Sequence, residues 1–148
     1  MNRFSFFALI VAMIISSWTF AASRDEVATY EKKMIAHRED LTQIAPNVSS
    51  ELDKEIAISL IDLTTRASIQ LTHIQDLLAI DSLVQNEADR ERIKPVISTG
   101  IRSVANGIDS SIDDVNRKMG FLKNPALLAT TSKLKEDLRG LKELLLHF

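Results

Sequence analysis

The chain has 148 residues, 45% hydrophobic and 26% charged, with 18 Lys and Arg against 20 Asp and Glu. This is a globular balance, because a disordered chain is poorer in apolar residues or carries a larger net charge. With no cysteine, the chain cannot be a disulfide scaffold, a thiolate metal site, a c-type haem attachment, a cysteine enzyme or a lipid-anchored lipoprotein, and four Gly with three Pro argue against a turn-rich β-sandwich.

Residues 1–21 read as a secretory signal. Arg3 supplies the positive start, residues 4–15 an apolar core of 12, and Thr19-Phe20-Ala21 a small-residue processing site. The competing reading is an uncleaved anchor, since the uncharged run 4–23 is 20 residues, about a bilayer thickness. The shortness of the apolar core favours cleavage. Removal leaves 127 residues as one domain, 22–148, carrying a net −3 and no second apolar span, which places the product in the periplasm or outside the cell. The triplet Asn47-Val48-Ser49 matches a glycosylation sequon, a pattern common by chance.

Four helices are expected in the remainder. Ser23-Arg24-Asp25-Glu26 forms a capping box. Val27, Tyr30, Met34, His37, Leu41 and Ile44 then recur at helical spacing until Ala45-Pro46-Asn47. A second helix starts at Ser50, with Asp53 three residues on, and carries Leu52, Ile56, Leu60, Leu63, Ala67, Leu71, Ile74 and Leu78. Between Ile56 and Val84 it has only Asp62, Arg66, Asp76 and Asp81 as charges, so it is either the most buried helix or shows an apolar flank to a partner. Burial is the favoured reading of the two.

The third stripe is Ile97, Ile101, Val104, Ile108, Ile112, Val115 and Met119, with Gly120 placed as the residue after the helix end. Asn86, Glu87 and Asp89 look like a helix start, yet Pro95 either kinks a long helix or opens a shorter one. The fourth begins with Asn124 and Pro125 and shows the cleanest row: Leu127, Thr131, Leu134, Leu138, Leu141, Leu145 and Phe148. Helices near 24–44, 50–79, 95–119 and 125–147, joined by short links, predict an all-α, up-down-up-down four-helix bundle. Residues 80–94 are expected to form a helical extension between helices two and three.

Few residues suggest chemistry. Met34 and His37 share a face and could ligate haem or a soft metal, but a half-buried histidine bonded to a polar neighbour explains the pattern more simply. The Glu-x-x-His pairs of di-iron bundles are missing: the positions three before His37, His73 and His147 hold Met34, Gln70 and Leu144. In architecture the chain resembles exported haem-binding four-helix bundles, but their Met and His positions do not map onto it. His147 lies about ten residues out of register with Met34, roughly 15 Å at the helical rise. No nucleophile elbow, zinc-protease motif or phosphate loop occurs, and Glu39-Asp40 and Asp113-Asp114 fall on solvated faces. The expectation is therefore no enzyme, no cofactor and no metal.

Nucleic acid is not an expected partner, because the exported chain is acidic and Arg117, Lys118 and Lys123 make no basic stripe. On helix three, Gly100, Ser103, Gly107 and Ser110 form a row of small residues. Each mid-helix glycine costs about 1 kcal/mol against alanine. Close approach of a neighbouring helix, or a groove for a partner segment or small ligand, would compensate. Leu83, Val84 and Ile93 are apolar positions that a four-helix core leaves uncovered. Together these features predict an exported protein that binds another protein, as an inhibitor, immunity or chaperone-like factor, or that closes a homodimer. The alternative is a small-molecule, haem or metal carrier using Met34 and His37. Membrane attachment follows only if the first segment stays uncleaved.

Overall fold

The computed structural model describes residues 3–148, with side chains from Arg24 onward. Four helices account for nearly all of it: α1 (Arg3–Ile44), α2 (Glu51–Leu83), α3 (Glu87–Met119) and α4 (Pro125–Leu146), with a 3-10 turn at Ala45–Asn47. No strand occurs among the described residues, so the fold is all-α as expected. The expected export signal lies, in its side chains and its first two residues, outside what is described.

Local chemistry sets most of the boundaries. The Ser50 hydroxyl accepts from the Asp53 N–H at 3.3 Å, Asn86 accepts from Ala88 at 2.9 Å, and Asn124 accepts from Ala126 and Leu127 at 3.0 Å each. These side chains satisfy amides that the first helical turn leaves unpaired. The box at Ser23 is a different case. It does not start a helix, because α1 runs through it from Arg3 and the amides after Ser23 find carbonyls one turn earlier.

The third helix also differs from expectation. It begins at Glu87, not at residue 95, and Pro95 lies inside it. The proline removes the amide that would bond the Glu91 carbonyl. That turn is exposed on almost every side, so water can satisfy the carbonyl instead. The expected extension at 80–94 is thus no separate element: it divides into the last turn of α2, the link at 84–86 and the first turns of α3. Gly120 follows α3 with a right-handed φ of −64°, so the left-handed ending is not used.

The interior is one cluster of aliphatic side chains. Val27, Met34 and Leu41 of α1 meet Leu60, Leu71 and Ile74 of α2, Ile108 and Val115 of α3, and Leu127, Leu134, Leu138 and Leu141 of α4, all essentially without solvent contact. Leu52 departs from its expected place and is exposed, because Asp53 takes the inward position in that turn. The broadest packing is between α1 and α2 and then α3 and α4, while narrower seams join α1 to α4 and α2 to α3.

Candidate functional site

Buried polar side chains bond mostly to backbone groups: Asp53 to two amides, and Thr64 and Thr131 to carbonyls of their own helices. On the α1–α4 seam, the buried His37 donates from Nε2 to Asp137 Oδ2 at 2.8 Å, and Lys33 Nζ meets Asp137 Oδ1 at 2.6 Å. Lys33 also lies 4.6 Å from the centre of the Tyr30 ring. Partial burial pushes the Asp137 carboxyl upward, but the hydrogen bonds and charges of Lys33 and His37 outweigh it and hold the group below its ordinary value. The same bond to Asp137 raises Lys33 against the opposing effect of burial. This arrangement orders a seam. His37 has its Nε2 committed to a carboxylate, and Met34 is fully packed in the core.

The other titratable residues are dispersed. His73 and His147 are exposed, as are Glu39, Asp40 and Asp113, while Asp114 pairs with Arg117 and Lys118. Among the described residues no group of three His, Asp or Glu side chains could hold a metal ion.

The candidate binding residues separate into two places. Leu83 is 76% exposed, whereas Val84 and Ile93 are half-buried, Ile93 against the core. Gly107 and Ser110 line a groove of about 300 Å³ between α2 and α3, together with Leu63, Arg66, Ala67 and Gln70 on one side and Ser111 and Asp114 on the other. Gly100 and Ser103 are not part of it. A Cβ at Gly100 would stand 2.9 Å from Leu77 Cδ1, so that glycine serves helix packing. Ser103 is simply exposed.

One surface emerges more strongly than its sequence signal. Ile58, Ile69 and Ile80 on α2 are 64%, 52% and 51% exposed, and with Leu52 and Leu83 they make α2 the main bearer of large exposed apolar side chains. Their spacing of eleven residues is close to three helical turns, so the isoleucines align along one outward face. Asp62 and Asp76 stand between them, and Asp62 pairs with Arg66 at 3.1 Å. The preference for plain burial of this helix is therefore incomplete. Its inner face is deeply buried and its outer face is apolar at intervals. The signal was present in Ile58 and Ile69, which fall off the inward stripe.

Among the residues with described side chains, no helix is long and apolar enough to cross a membrane. No protein-family model, curated protein or solved structure matches this chain.

Proposed function

We propose that the chain is an exported, non-enzymatic, up-down-up-down four-helix bundle that acts by binding another protein through the outward side of α2 and its seam with α3. The seams between successive helices, and between the last and the first, support that topology. Export rests on the charge and apolar pattern of residues 1–21.

The observation that carries the binding reading is the distribution of apolar surface. Single exposed hydrophobics are ordinary on any protein. Here Ile58, Ile69, Ile80 and Leu83 fall on one helix, which also lines a groove with Gly107, Ser110 and Ser111 of α3. The polar interior, by contrast, is spent on internal pairing: among the described residues no buried side-chain nitrogen or oxygen lacks a hydrogen-bond partner. That favours recognition at the outside over chemistry within.

Site-specific photo-crosslinking in the native host tests this reading. A benzoyl-phenylalanine at Ile69 or Ile80 should give a discrete adduct with another protein, while one at Lys133 on α4 should give none. Adducts of equal yield from both helices, or none from α2, would overturn it. An adduct of twice the chain mass would replace the partner with a second copy.

A further inference from the structure

We infer that removal of residues 1–21 tightens the bundle: the ammonium group it creates at Ala22 pairs with the buried carboxylate of Asp81 on α2. The inference rests on the export reading, with cleavage after Ala21, and not on the binding face.

Asp81 is the exception among the buried polar side chains. It continues the inward row Leu71, Ile74 and Leu78, and only 8% of its surface is exposed. Asp53 accepts from two amides and His37 has Asp137, but Asp81 makes no side-chain hydrogen bond or ion pair among the described residues. Its carboxylate has lost most of its water and gained no charge in return, an unfavourable state. Only the remaining sliver of solvent contact keeps its oxygens from full enclosure. The cations at this end are turned elsewhere. Arg24 is exposed, Arg90 donates to the Val84 carbonyl, and Arg92 and Lys94 pair with Asp89 and Glu91.

The register of α1 against α2 supplies the partner. The two helices are joined by a short link and pack side by side, so they run in opposite directions. Glu31 accepts from Thr72 at 2.8 Å and from Gln75 at 2.7 Å, which sets the helices level there. Nine residues back along α1 and nine forward along α2, the backbone of residue 22 stands level with residues 81–84. Hydrolysis of the Ala21–Ala22 amide by a processing protease consumes one water. It leaves a carboxylate on the departing segment and an amine on Ala22. That amine is protonated at neutral pH. The first amides of the shortened helix, now unbonded, add the positive end of its dipole. Both arrive beside a carboxylate that has no other cation.

Titration of the Ala22 amine in the processed chain, recovered from the native host, tests the pairing. An isotopically labelled dimethyl group on the amine carries the NMR signal, and intact mass first establishes where the chain begins. The amine should titrate about one pH unit or more above the ordinary α-amino range of roughly 7.7–8.0, and return to that range in Asp81→Asn. That variant separates Asp81 from the competing acids at this end, Asp25 and Glu26 of α1 and the carboxylate of Phe148. Melting temperatures give a second measure. Asp81→Asn should lower that of the processed chain, and leave or raise that of the full chain in mild detergent. The pairing is present below about pH 8 and is lost as pH rises through the folded-state value of the amine, so the two processed forms should converge in alkali. An amine in its ordinary range, or one raised equally in Asp81→Asn, overturns the inference, as does an equal effect of the substitution on both lengths of chain. A first residue other than Ala22 defeats the cleavage reading and the inference with it, while crosslinks from α2 bear on neither.

Discussion

Asp53 and Asn124 join the beginning of α2 to the beginning of α4. The buried Asp53 carboxylate accepts from the Asn124 N–H at 3.0 Å and, through its other oxygen, from the Lys123 N–H at 3.2 Å. Asn124 in turn caps α4, so one carboxylate fixes the residue that starts the last helix. Asp53→Ala orphans two backbone amides next to the core. The loss should be about 1–3 kcal/mol, and Asp53→Asn should recover part of it by supplying one acceptor. Urea unfolding at neutral pH measures both. Equal stability of Asp53→Ala and the parent would show that the turn holds without the clamp.

Asp137 makes stability depend on acid. Its carboxyl is held below the usual 3.8, so the folded chain takes up that proton less readily than the unfolded one. The contribution is fully present above about pH 4 and is lost as pH falls through the folded-state value. Lys33 has the opposite sign: raised above 10.5, it contributes below that pH and loses its effect in stronger alkali. Asp137→Asn should therefore cost roughly 1–3 kcal/mol at pH 7, with the gap from the parent closing as acid is added. Urea midpoints measured from pH 7 down to pH 1.5 follow it. A gap that stays constant across that range would remove the ion cluster as its cause.

Two glycine-to-alanine changes should move stability in opposite directions. At Gly107 the added methyl meets only Gln70 at van der Waals distance, so the gain in helix propensity, about 0.5–1 kcal/mol, should appear as a higher melting temperature. At Gly140 the methyl collides with the Tyr30 hydroxyl, and the ring must leave the seam it shares with Lys33. The expected result is a net loss of about 1–3 kcal/mol despite the better propensity. Melting curves of the two variants beside the parent settle the signs. Stabilisation by both would mean that Tyr30 relocates without cost.

What could be read in advance depended on whether the cause was local. Leu127, Leu134, Leu138, Leu141 and Leu145 of α4 recur at helical spacing, and each is buried where the row puts it. Asn124 and Ser50 cap helices through neighbours two or three residues away, so their role is visible in a short stretch of chain. His37 pairs with a residue 100 positions distant, and Asp53 with a turn 70 positions distant, and no local pattern carries that information. Pro95 was ambiguous for a different reason. Its cost inside a helix depends on whether the freed carbonyl reaches water, which only the exposure of the surrounding turn decides. The outward isoleucines of α2 could be read in part, because Ile58 and Ile69 break the inward stripe. The groove between α2 and α3 could not, since that needs the register of α3 against α2.

The unused capping box at Ser23 yields a last expectation, one that separates the full chain from a shortened one. While residues 3–22 continue α1, the amides that follow Ser23 bond to carbonyls of the preceding turn and need no cap. Cleavage after Ala21 removes those carbonyls and exposes the first amides of a helix that now begins near residue 24. The Ser23 hydroxyl can then accept from the Glu26 N–H, and the Glu26 carboxylate can reach back to Ser23. Ser23→Ala should therefore cost about 1 kcal/mol in the 127-residue form and nothing measurable in the 148-residue form. Urea unfolding of both forms, the longer one held in mild detergent, makes the comparison. An equal effect in the two would mean that the helix frays at residue 23 even with its leading segment attached.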